Sequence, residues 1–254
     1  ASACVRTELG SGSCRQMRVL CASLLNTNML DMLHATRDIC MARTVTGFYA
    51  VVHGVAIRVT TKGGVAAPAV FPSLAAMPRV HNAVGAWRID AALLDCLPAA
   101  PSPGRIEHLL VWPDLDVTMW KDARGVRYAL AEGALAEIDS DRRQCRLVCM
   151  RESLPTAERL GRLITMEILR HEGFFMLHAG AVETGGGAVL VCGASGMGKS
   201  TLTVAWTCLG NARFMTEDRC VVFLRDGLVW AGGIADTVGL QANTVSLLED
   251  LGIT

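Results

Sequence analysis

Residues Gly193-Ala194-Ser195-Gly196-Met197-Gly198-Lys199-Ser200 fit the pattern G-x-x-x-x-G-K-[ST] at every specified position. Glycine lacks a Cβ, so the three glycines let this stretch take positive φ and bring its amides close to a phosphate. Lys199 supplies a mobile positive charge for the β- and γ-phosphates, and the Ser200 hydroxyl suits a magnesium ion. The preceding residues, Ala188 to Cys192, form a short and almost unbroken apolar run, which predicts a strand buried on both faces. From Thr201 to Leu209 the pattern predicts a helix, whose positive end would face the anion. A chance glycine turn would lack that strand and helix on its two sides. The segment from Gly193 to Thr201 therefore predicts a nucleoside-triphosphate site.

Magnesium-nucleotide chemistry also needs carboxylates, one near the metal and often one near the nucleophile. Downstream, Glu217 and Asp218 stand side by side between the apolar residues Phe214-Met215 and the run Cys220 to Leu224. Neighbours on an extended strand point to opposite faces, so the two acids need not share a role. The plainer alternative is a polar interruption in which Asp218 pairs with Arg219. His178 is the one histidine of the apolar stretch Phe174 to Val182. By residue type alone it reads as a hydrogen-bonded core histidine rather than a catalyst.

These residues must be positioned by the rest of the chain. With 254 residues, 51% of them hydrophobic and only 19% charged, there is ample apolar material for one large or two modest domains. The mean hydropathy is positive, but every apolar run is interrupted before the ~18 residues that a membrane-spanning helix needs. Lys plus Arg and Asp plus Glu are both 24, which gives no support to nucleic-acid binding or to a basic membrane surface. Ten cysteines occur without a C-x-x-C, and Cys145 and Cys149 have no His/Cys pair downstream to complete a zinc site. Free thiols in a nucleotide-using chain predict a cytoplasmic protein. The apolar run after Arg15 and Arg18 imitates a signal peptide but lacks a clean cleavage site.

Taken in order, residues 1–14 are Ser/Gly-rich and read as a loose arm. Apolar residues from Met17 to Leu33 recur at three- and four-residue steps, which predicts a helix over 16–41, with His34 and Asp38 on its solvated surface. Phe48–Val52 and Val55–Thr60 read as strands joined at His53-Gly54. Pro98 to Gly104, with three prolines, is the clearest break, and suits a linker or a surface loop equally. Val117–Trp120 and Val126–Leu130 form a hairpin pattern, and Leu135–Asp139 and Cys145–Met150 repeat it. A helix should start at Ser153 with Pro155 in its first turn, bury Leu160, Leu163, Ile164 and Ile168, and stop at Gly173. The short turn Thr184 to Gly187 makes the strand Phe174–Val182 an antiparallel neighbour of the phosphate-loop strand, because a parallel crossover needs about a dozen residues.

That combination, LHAGAV at Leu177–Val182, then GASGMGKSTL, then Glu217-Asp218-Arg219, resembles the HPr kinase/phosphorylase-like superfamily. The resemblance is strong from Leu177 to Val222 and continues weakly through Gly227–Ala231. It implies an α/β fold: a P-loop kinase core of the HPr kinase and phosphoenolpyruvate carboxykinase type, with a mixed sheet, at 151–254. A strand-rich α+β module at 1–150 precedes it and would serve acceptor recognition or oligomerisation.

By position, the resemblance assigns Gly193 to Thr201 to ATP, Ser200 and Asp218 to Mg²⁺, and Glu217 to the base for an acceptor hydroxyl. His178 becomes the histidine that pairs with the acidic site. Glutamate stands where the family has its first aspartate, which shifts the carboxylate by one methylene. The family continues beyond the equivalent of the helix-like Val245–Gly252, so the resemblance also implies a domain shortened after Thr254.

The expected function is ATP-dependent transfer of the γ-phosphoryl group to a hydroxyl, serine by preference, of a peptide, protein or small molecule, with no nucleic-acid or membrane partner. A homo-oligomer is compatible with the family but is not carried by the motif. A generic P-loop ATPase is weakened by the absence of LSGGQ-like and N-K-x-D stretches after Lys199. A non-catalytic ATP-binding regulatory or scaffold module is the third reading.

Overall fold

Strand and helix patterns assemble into two mixed sheets, one of eight strands and one of seven, making this an α/β protein. The structure is a computed structural model that describes residues 2–7, 15–20, 47–62, 66–80, 83–101, 105–112, 115–210, 212–234 and 245–246. His34, Asp38 and most of the Val245–Gly252 segment lie outside the described residues. Contacts divide the chain into two units, Leu25–Glu172 and a second that joins Ala1–Leu24 to Gly173–Thr254.

The N-terminal residues depart from expectation. Ser2–Thr7 (β1) and Arg15–Leu20 (β2) are antiparallel strands, not a loose arm and the start of a helix. Met17 and Val19 alternate with Gln16 and Arg18, which also satisfies a period of two. Pairing with a strand from the far end of the chain decides between the two periods.

In the unit Leu25–Glu172, Gly47–Val52 (β3) and Val55–Lys62 (β4) form the expected hairpin. His53 and Gly54 form its two-residue turn at φ 50° and 92°, the left-handed pair that matches strand twist. Two single-turn helices follow, Ala67–Val70 (α1) and Pro72–Ala75 (α2). The strands Trp87–Leu94 (β5), Arg105–Trp112 (β6), Leu115–Lys121 (β7), Arg127–Ala131 (β8), Ala134–Asp139 (β9) and Gln144–Met150 (β10) complete the sheet in the order β3-β4-β5-β10-β9-β8-β7-β6. The prolines at 98 and 101 stand between β5 and β6 of this one unit, so this break is a loop rather than a domain linker.

Leu154–His171 (α3) buries Leu160, Leu163, Ile164, Ile168 and Leu169 and lies against β9 and β10. It therefore groups with the strands before it, and the contact boundary falls after Glu172 rather than at 150/151. Ser153 occupies its N-cap position without a side-chain capping bond, and Gly173 follows the helix at φ +84°. Gly161 permits a close approach, since a Cβ there would meet the Phe71 ring and the Val70 carbonyl at 2.9 Å.

In the other unit the strands are Phe175–Thr184 (β11), Gly187–Cys192 (β12), Arg213–Thr216 (β13), Arg219–Arg225 (β14) and Leu228–Gly233 (β15), with one helix, Lys199–Leu209 (α4). The sheet order is β1-β2-β15-β14-β11-β12, with β13 also on β11. β11 and β12 are antiparallel, as the short turn required. β12 ends the hydrogen-bonded order, so Val189, Leu190 and Val191 are only half-buried and Cys192 is exposed, in contrast to the fully buried strand expected. Small side chains fill the core here: Ala179, Ala181, Ala188, Cys220 and Ala231 cluster with Met215. On the strands nearby, the Phe223 ring stands 4.6 Å from Phe174 and 6.5 Å from Trp230. Among the described residues no helix is long and apolar enough to cross a membrane.

The α3 seam carries much of the first unit's apolar burial. Ile164 is fully buried, so Ile164→Ala should destabilise that unit by about 2–5 kcal/mol, read as a lower urea midpoint at unchanged slope. An unchanged midpoint would mean the seam is not part of the cooperative core.

Candidate functional site

β11 is the strand on which the predicted site residues converge. On one side Ala179 pairs with Cys192, the last residue before the phosphate loop. On its other side the Ala179 amide donates to the Asp218 carbonyl at 3.0 Å. The loop entry and Asp218 thus flank a single residue, two strand spacings or about 9–10 Å apart.

The acids sit at a kink. β13 pairs Thr216 with Ala181, and β14 pairs Arg219 with His178, so the register is the same on both sides of the bend. Glu217 and Asp218 therefore interrupt one long line of chain facing Ala179 and Gly180, rather than lying on an extended strand. The buried Thr216 hydroxyl accepts the Arg219 amide across the bend at 3.3 Å. Such interruptions re-aim side chains next to functional sites. Glu217 is half-buried and Asp218 exposed.

His178 Nδ1 lies 2.6 Å from Asp218 Oδ1, with the two side chains 62% and 51% exposed. Asp218 thus has His178 as a partner, and His178 is open to solvent rather than a core histidine. Holding Nδ1 on a carboxylate fixes the ring orientation and leaves Nε2 as the outward nitrogen. An exposed pair of this kind contributes little stability, so its value lies in orientation.

The phosphate loop has the backbone its sequence requires at two of three glycines. Gly196 and Gly198 both have φ +79° with open space where a Cβ would stand. Gly193 is outside the left-handed region, and its nearest contacts are ordinary. Residues Cys192 to Gly198 are exposed, whereas Lys199 is only 8% exposed. Its Nζ donates to the Gly193 and Ala194 carbonyls, each at 3.0 Å. Gly198 caps α4 in the left-handed conformation, and Lys199, Ser200 and Thr201 form its first turn. That places an exposed glycine loop directly before a helix N-terminus, an arrangement suited to phosphate.

Among the described residues no group of three or more His, Cys, Asp or Glu side chains is placed to hold a metal ion. Mg²⁺ in phosphate sites typically takes one or two protein ligands plus phosphate and water, and Ser200 and Asp218 are the residues the sequence offers for that role. Two residues that the sequence reading passed over support the geometry. Thr203, fully buried, donates from Oγ1 to the Lys199 carbonyl at 2.8 Å. Gly180 packs against it, and an isolated strand glycine is the signal that marks such an approach.

No family model, curated protein or solved structure was found to match the chain.

Cys96, Cys145, Cys149, Cys192, Cys208 and Cys220 are free, and burial separates them. Burial pushes the thiols of Cys145, Cys149 and Cys220 up, that of Cys220 to about 12. Thiolate is the reactive form, and at pH 8 these three remain neutral thiols. Iodoacetamide at pH 8 followed by peptide mapping should label exposed Cys96, Cys192 and Cys208 in the native protein. Cys145, Cys149 and Cys220 should react only after denaturation, and their native labelling would contradict the packing of both sheets.

Proposed function

We propose that this chain is an ATP-dependent kinase that transfers the γ-phosphoryl group to a hydroxyl, serine by preference, on a peptide, protein or small-molecule acceptor. The observation that carries the reading is the register of β11, which has the phosphate-loop strand on one side and the His178–Asp218 pair on the other. A fold of two mixed sheets with the loop entered from an antiparallel neighbour supports a P-loop kinase core of the HPr kinase type.

In this reading the loop amides and Lys199 hold the β- and γ-phosphates. Ser200 and Asp218 hold Mg²⁺, and His178 orients Asp218. Glu217 accepts the proton of the acceptor hydroxyl as its oxygen bonds to phosphorus, and ADP leaves with the electrons of the broken bond. Bound Mg²⁺·ATP supplies the transferable group and the metal charge that offsets its negative oxygens. The half-buried setting of Glu217 suits a base that meets a substrate proton, while the more exposed Asp218 suits a metal ligand that exchanges with solvent.

The test is label transfer from γ-labelled ATP with Mg²⁺ to a panel of hydroxyl-bearing peptides, proteins and small molecules. Wild type should label an acceptor. Glu217→Gln should lower kcat by roughly 10²-fold or more while ATP affinity stays within about threefold. Lys199→Ala should weaken both affinity and rate, because that charge acts in ground and transition states. Phosphate release independent of any acceptor would make the chain an ATPase. Binding with neither transfer nor release would leave a non-catalytic ATP-binding module.

A further inference from the structure

Gly180 stands at a close approach of β11 to α4. A Cβ built there would lie 2.1 Å from Thr203 Oγ1, 3.2 Å from Thr203 Cβ and 3.5 Å from the Glu217 carbonyl oxygen. One position on the strand therefore touches both halves of the site. Thr203 follows Lys199 by one helical turn and holds its carbonyl, so a shift of Thr203 moves the turn that carries Lys199 and Ser200. On the other side, Gly180 faces the kink that sets Glu217 and Asp218, and it follows His178 by two residues on the same strand face. Thr203 has no solvent-exposed surface, and close-packed interiors transmit small displacements rather than absorb them.

We propose that Gly180 and Thr203 are positioning residues. Their contact is a spacer of fixed thickness that sets the phosphate loop at a working distance from the His178–Asp218 pair. Neither residue touches substrate. The inference rests on the reading of the loop and the acid pair as one site, and it adds the element that joins them. A glycine is required at 180 because any side chain would push helix α4 away from the strand. The branched side chain at 203 is required because a smaller one would let the helix settle inward. Misplacement of about 1 Å at reacting groups can cost roughly 10²-fold in rate, so a methyl-sized change at the spacer should affect transfer far more than binding.

The experiment pairs nucleotide titration with NMR of the His178 ring, using Mg²⁺·ADP as probe on the full chain. It compares wild type, Gly180→Ala, Thr203→Ala and the double variant Gly180→Ala/Thr203→Ala. In wild type, loop occupancy should shift the His178 ring signals. In each single variant the ADP dissociation constant should stay within about threefold of wild type, while the ring response falls at least threefold. The double variant exchanges the γ atoms of Thr203 for a Cβ on the strand, and it should recover most of the response. Thr203→Ala removes atoms rather than adding them, so it tests the spacer even where Gly180→Ala fails to fold.

A ring that does not respond in wild type, equal responses in wild type and Thr203→Ala, or a double variant no better than its parents would each overturn the inference. Transfer assays on the same proteins separate it from the kinase reading. An intact, spacer-dependent ring response without label transfer would remove the kinase and keep the spacer. Transfer that is indifferent to both substitutions would do the reverse.

Discussion

The backbone hydrogen bonds of β11 are shared between the strand that enters the phosphate loop and the strands that carry the acids. A strand interior to a sheet cannot slip by one residue without reversing which face each side chain occupies. The ladder therefore ties Cys192, Ala179 and Asp218 into one transverse row, and the chemistry-bearing residues inherit their spacing from it. The register irregularity between Ala181 and Val182 stands at the β13 side of this row. There the Glu183–Arg213 ion pair closes the far end of the pairing.

Within that frame, small residues do what larger ones would prevent. Alanine at 179, 181, 188 and 231 lets the sheet pack a thin core, and glycine at 180 lets α4 lie directly on the strand. Gly233 plays a related part on β15, where a Cβ would meet the Met215 carbonyl oxygen at 2.1 Å. Close approaches at Gly180 and Gly233 thus stand near the two ends of the segment Met215 to Glu217. Asp218, His178 and the loop from Cys192 to Gly198 are open to solvent, and Glu217 is half-buried. Rigid support around exposed polar groups is the arrangement that orientation-dependent chemistry requires.

The phosphate loop, its helix and the antiparallel return of β11 were legible because each depends on local sequence: glycines at fixed offsets, a lysine at a helix start and a turn too short for a crossover. The β3–β4 and β7–β8 hairpins were legible for the same reason. What was not legible depends on partners distant in the chain. β1 and β2 carry a weak alternation that only pairing with β15 resolves. β5 has an alternating burial from Trp87 to Leu94 that its own sequence displayed and that was passed over. The helix Leu154–His171 was found, but its grouping was not, since a helix next to a new strand in sequence can bury its stripe on the strands before it. The pairing of His178 with Asp218 was expected from the family resemblance alone, since the kink that brings the two together shows in no local pattern.

The proposed chemistry requires that the phosphate loop and the His178–Asp218 pair serve one bound nucleotide. The most direct measurement replaces Mg²⁺ with paramagnetic Mn²⁺ in the presence of ADP and follows the ring resonances of His178. With the loop entry and Asp218 on either side of Ala179, the account predicts that stoichiometric Mn²⁺·ADP broadens those resonances severely, and that Lys199→Ala raises the ADP needed to do so. His178 resonances that stay sharp while ADP demonstrably occupies the loop would contradict it.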